Sequence, residues 1–98
     1  MTNEVTITSL NQGGAGEYHA AVAGNDAVGR LTWVARGEAV RAAEHTIVPP
    51  EIGGRGVAGK LVQAMIADAR EHGFRIAPVC SYVVAAFEKH PEWADVRA

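Results

Sequence analysis

The sequence predicts an α+β domain: a mixed, mostly antiparallel sheet with one splayed parallel strand pair and about two helices. Three observations predict it. Short runs alternating every second residue, separated by glycine-rich turns, fill the first half of the 98 residues. A longer run with helical spacing follows, and then a short apolar strand and a second helical run. A helix between the fourth and fifth strands is a crossover, so those strands are expected as parallel neighbours in right-handed connection.

The elements follow in order. Val5, Ile7 and Ser9 alternate with Thr6 and Thr8 in a first strand that Asn11-Gln12-Gly13-Gly14 turns back. Residues 17–22 form a second, closed by Gly24-Asn25-Asp26, and residues 28–35 a third with Trp33 and Val34 at its centre. After Gly37-Glu38 a fourth covers residues 40–48, and Pro49-Pro50 stops it. Val57, Ala58, Leu61, Val62, Met65, Ile66 and Ala69 make the apolar stripe of a helix that Gly73 ends. Residues 74–79 are a buried strand, and Ser81 caps a helix that turns Val83, Val84 and Phe87 inward before Pro91.

Composition narrows the function. Residues 1–98 are expected as one domain with room for a single modest core. Nine Lys and Arg stand against 11 Asp and Glu, so the chain lacks the basic excess that a nucleic-acid partner requires. Cys80 is alone and builds neither a disulfide framework nor, by itself, a zinc site. No run approaches the roughly 18 apolar residues that span a bilayer, and Met1-Thr2-Asn3-Glu4 does not read as a secretory leader, so a cytoplasmic protein off the membrane is expected.

The informative segment is Gly53-Gly54-Arg55-Gly56-Val57-Ala58-Gly59-Lys60, after a strand and opening a helix. Glycines let backbone N–H groups approach a ligand, and the first-turn amides of a helix with its positive dipole end attract anions. Gly59 lies inside the helix, where glycine costs about 1 kcal/mol relative to alanine. Two nucleotide motifs match in letters and fail in context. The triphosphatase loop needs Ser or Thr after its lysine, and Leu61 stands there. The dinucleotide fingerprint needs an acid about 20 residues on, and Ala77-Pro78-Val79-Cys80 has none.

The segment resembles motif A of the GNAT acetyltransferase superfamily, with Gly56 and Ala58 at its two small positions and Gly53 where the family has Gln or Arg. His45-Thr46-Ile47-Val48-Pro49-Pro50-Glu51, the Cys80-Ser81-Tyr82 motif after the fifth strand and His90-Pro91-Glu92-Trp93 look like the small single-domain GNAT-like proteins. The resemblance covers roughly residues 27–92. It implies acetyl-CoA as cosubstrate, its pyrophosphate cradled by Gly54, Arg55, Gly56, Val57, Ala58, Gly59 and Lys60. The pantetheine arm would enter beside Ile47 and Val48, where strands four and five part. Larger members have two helices walling the acceptor site, for which this chain has no room, and a tyrosine seven residues after the last helix's cap. Counting from Ser81 puts Glu88 there.

Amine acylation needs a base, a donor for the carbonyl oxygen and a proton for the departing thiolate. His45, near the end of the fourth strand, is the base candidate, and Glu44 competes from the opposite face by alternation. Cys80, at a helix start that favours thiolate, is a proton donor to the coenzyme or an acyl-accepting nucleophile, and Tyr82 a substitute phenol. Direct transfer to a small amine or peptide amine is therefore expected, with a coenzyme-binding interaction module or transfer through Cys80 as alternatives. The open acceptor side leaves room for a protein partner or a second copy to complete it.

Overall fold

β1 (Val5–Asn11), β2 (Ala15–Val22), β3 (Val28–Ala35), β4 (Val40–Ile47) and β5 (Arg75–Pro78) form one sheet in sequence order in a computed structural model that describes residues 4–98. The first four pair antiparallel, and β4 with β5 parallel. α1 (Val57–His72) is the crossover between β4 and β5, and α2 (Ser81–Lys89) follows β5. 3₁₀ segments of one and two turns cover Pro50–Ile52 and Pro91–Val96. The expected α+β architecture is present.

Both helices pack on the same face of the sheet. α1 buries Val57, Leu61, Val62, Met65, Ile66 and Ala69 against Tyr18, Ala20, Leu31 and Trp33. Each fully buried Leu, Ile or Met contributes about 1.5–3 kcal/mol, so this stripe fixes where α1 starts. Gly29 lets it lie close: a Cβ there would stand 3.0 Å from Val57 Cγ1. The far end of α1 is held by a polar cluster. The buried Tyr18 hydroxyl donates to Asp68 Oδ2 at 2.5 Å, and Arg41 lies between the Trp33 and Phe74 rings, 4.1 and 4.0 Å from their centroids. Burial and the Asp68 carboxylate hold Tyr18 in its protonated form.

Four expectations need correction. β4 ends at Ile47, so Val48 lies beyond the strand. β5 is shorter than residues 74–79: Phe74 is in the turn, its N–H donating to Ala69 O, and Val79 is exposed. The N-cap of α2 is Cys80 and not Ser81, with no side-chain cap bond. Counting seven from Cys80 reaches the buried Phe87, which carries no proton to give, in place of Glu88. Beyond α2, residues 97 and 98 return to the sheet: Arg97 bridges Ile76 and Ala98 N–H donates to Ile76 O at 2.8 Å.

Candidate active site

β4 and β5 pair only from Val40–Arg75 to Ala43–Pro78. The N–H groups of Val79 and Cys80 then both donate to Ala43 O, at 3.1 and 3.0 Å, and the chain leaves the sheet for α2. β4 runs on through residues 44–47 without a β5 neighbour, leaving a notch between its end and the first turn of α2.

The break in pairing coincides with a β-bulge. Thr32 pairs with His45 and Trp33 with Ala43, so Glu44 is the extra residue. Bulges bend a strand and re-aim side chains. Paired residues share a face, which puts Ala43 beside Trp33, and Thr46 beside Leu31, on the helix-covered side. His45 lies beside Thr32 on the other. Strict alternation from Ala43 would have turned His45 inward, so simple alternation does not set Glu44 and His45 on opposite faces as expected. The bulge gives His45 its outward aim, and its side chain is exposed.

On the helix side, Cys80 Sγ lies 3.5 Å from Thr46 Oγ1 and the thiol is half-buried. Burial opposes its ionisation. The Thr46 hydroxyl and the backbone N–H groups of Val83, Tyr82 and Thr46 together outweigh that effect and bring its pKa below the ordinary value. Tyr82 is exposed, and its hydroxyl would stand 3.7 Å from a Cβ on Gly59, so the first turns of α1 and α2 meet. Between them lies a cavity of about 180 Å³ lined by Gly59, Gln63, Tyr82, Lys89 and Trp93 among others. His90 stacks on Trp93 at 4.0 Å between centroids and closes the end of this cleft.

The start of α1 is an open, glycine-rich helix N-terminus. Gly54 and Gly56 hold φ of 73° and 72°, which L side chains rarely adopt, and Gly56 is the helix N-cap. A Cβ on either would meet nothing within 4 Å, so the space before them is open. No acid occupies the first turn and no side chain caps it, while the Lys60 N–H already bonds Gly56 O at 3.0 Å. That leaves the N–H groups of Val57, Ala58 and Gly59 without helical acceptors. Ile52, fully buried, anchors the loop that sets this geometry.

The structure thus brings Thr46, Cys80, Tyr82 and Gly59 together around the notch, with His45 across the sheet and Ile47 exposed at the end of β4. Thr46 is the residue that sequence reasoning missed: it bonds the thiol from 34 positions away, and no local pattern announces that contact.

Residues 17–96 match the model of a family described as GCN5-related N-acetyl-transferase, well over half of the chain. Among solved structures, the chain is similar to the NMR solution structure of a GCN5-like protein from Staphylococcus aureus named as a candidate N-acetyltransferase. The two share 27% identity and a TM-score of 0.70, over 100% of this chain and 91% of that one. No curated protein matches significantly.

Proposed function

The chain belongs to the GCN5-related N-acetyltransferase family, and from that membership we propose that it moves an acetyl group from acetyl-CoA directly to an amine within a ternary complex. The observation that carries this reading is the meeting of an acid-free, uncapped helix start with a strand notch. One binds a diphosphate and the other admits a narrow chain ending in a thioester. The amides of Val57, Ala58 and Gly59 take the phosphate oxygens, with Lys60 and Arg55 adding charge. The arm passes between Ile47 and Val48 on one side and the start of α2 on the other.

The reacting carbonyl then lies at the sheet, with helices on one side and His45 on the other. His45 takes the proton of the attacking amine, directly or through water, as nitrogen adds to the carbonyl carbon. Backbone N–H groups of β4 beyond Ala43 stabilise the developing oxyanion. The carbon–sulfur bond breaks, and the coenzyme thiolate takes its proton from Cys80 or from Tyr82. The hydrogen bonds that favour the Cys80 thiolate also suit the two-step alternative, in which Cys80 accepts the acetyl group first.

Titration calorimetry with CoA and acetyl-CoA tests the first claim, and the absence of heat with both would end it. Intact-mass measurement after mixing with acetyl-CoA separates the routes. An acetyl adduct lost in Cys80→Ala supports transfer through cysteine, whereas coenzyme release only with added amine supports direct transfer. Tight binding without turnover over a broad amine panel leaves an interaction module.

A further inference from the structure

Among the described residues, β1 has a hydrogen-bonded neighbour on one side only, and its seven residues, VTITSLN, contain no charge and no proline. Such an edge is a template for another strand, which proteins usually blunt with lysine, proline or a bulge. The ladder phase identifies which groups are free. Ala23 N–H donates to Glu4 O and Gln12 N–H to Ala15 O, and the register between these bonds is unbroken. Hydrogen-bonded pairs alternate along an antiparallel ladder. Thr6, Thr8 and Leu10 therefore turn their backbone groups to β2, and Val5, Ile7 and Ser9 turn theirs outward.

We propose that this outward edge pairs antiparallel with the β1 of a second copy of the chain, about a two-fold axis, joining the two sheets. The flank of α1 beside the edge supports a second copy over any other strand donor. A groove of about 300 Å³ runs between Ile7 and Ser9 on the sheet and Ala64, Ala67 and Glu71 on α1. Continuing that stripe by helical steps of four, three and four gives Lys60, Ala64, Ala67 and Glu71: a cation at one end, alanines in the middle and an anion at the other. Lys60 and Glu71 are both exposed.

α1 runs opposite to β4 and so along β1. A two-fold axis through the edge sets the two α1 helices antiparallel on the same face of the joined sheet. Lys60 of each copy then faces the end of the stripe that carries Glu71 in the other, and the helix dipoles oppose favourably. An isologous contact needs this kind of self-complementarity.

Light scattering and sedimentation of the full chain test the proposal, with a mass twice the 10.3 kDa of the chain expected. Ser9→Pro removes an N–H that β2 does not use, so it should give a folded monomer, whereas Thr8→Pro removes one that β2 does use and should lower stability. Should Ser9→Pro fail to fold, Ser9→Lys keeps the N–H and places charge at the edge, again giving monomer. Glu71→Lys should raise the dimer dissociation constant about tenfold, less at high salt. A wild-type monomer at every concentration overturns the proposal, as does a dimer that survives Ser9→Lys. Calorimetry with CoA on the wild type and on Ser9→Lys reads the coenzyme site independently of the mass, so the fate of this interface is separable from that of the proposed activity.

Discussion

Gly59 is the third residue of α1, half-buried, and at a position where glycine weakens a helix. A methyl on it would meet the Tyr82 hydroxyl at 3.7 Å, an ordinary contact, so packing does not demand the glycine. Gly59→Ala should therefore stabilise the fold by about 0.5–1 kcal/mol. In a domain of this size that raises the thermal midpoint by about 2–8 °C. The same methyl stands beside one of the three free first-turn N–H groups. Losing a hydrogen bond to a charged group costs about 1.5–3 kcal/mol, so acetyl-CoA affinity should fall about 10- to 100-fold. Thermal melts with and without acetyl-CoA read both effects: the variant starts higher and gains less from ligand. Unchanged affinity would refute the cradle at this turn. A lowered midpoint without ligand would refute the claim that the fold has room for the methyl.

Three other outcomes are expected. Gly16 lies against the Trp33 indole so closely that a Cβ would overlap the ring, and Gly16→Ala should cost about 1–3 kcal/mol in a denaturant titration. His45→Ala should lower kcat by about 10²- to 10⁴-fold with coenzyme affinity kept, and equal losses in both would make His45 structural. Alkylation of Cys80 should show a midpoint below that of an ordinary free thiol, with acetyl-CoA protecting it. A lowered pKa in the folded state means stabilisation fully present above the unfolded value and lost as pH falls through the folded one. Cys80→Ala should abolish that pH dependence in a stability titration.

The sequence shows most of the scaffold because its signals are local. The limits of β3 and α1 follow from alternation, from the stripe ending at Ala69 and from Gly73. The glycines before Val57 are readable for the same reason. What escapes is set by contacts distant in the chain. Glu44 bulges because β3 pairs past it, and nothing in Ala43-Glu44-His45 says so. Arg41 looks like a surface cation on a strand, yet lies between two rings from different elements, Trp33 and Phe74. Cys80 and not Ser81 caps α2 because the chain leaves the sheet one residue earlier than side-chain preference alone indicates. Thr46 acquires its neighbour only when the start of α2 comes beside β4, and Tyr82 its own when α2 packs on α1.

The bulge at Glu44 lies between the end of β4–β5 pairing and His45, and its removal tests whether it sets both. Pairing between β4 and β5 stops at Ala43, one residue before the bulge, and from there a bent β4 diverges. Deleting Glu44 leaves Ala43 opposite Trp33 and His45 opposite Thr32, so every side chain keeps its face and the β3–β4 ladder becomes continuous. Only the local bend and extra twist are lost. With β4 straightened, backbone groups now left free at the notch come within reach of the segment after Pro78, and the two strands can pair further. The deletion variant should therefore melt at or above the wild-type temperature while losing acetyl-CoA affinity by more than about tenfold, a difference of about 1.4 kcal/mol. Retained affinity would show that the divergence comes from the departure of the chain into α2, and that the bulge serves only to aim His45.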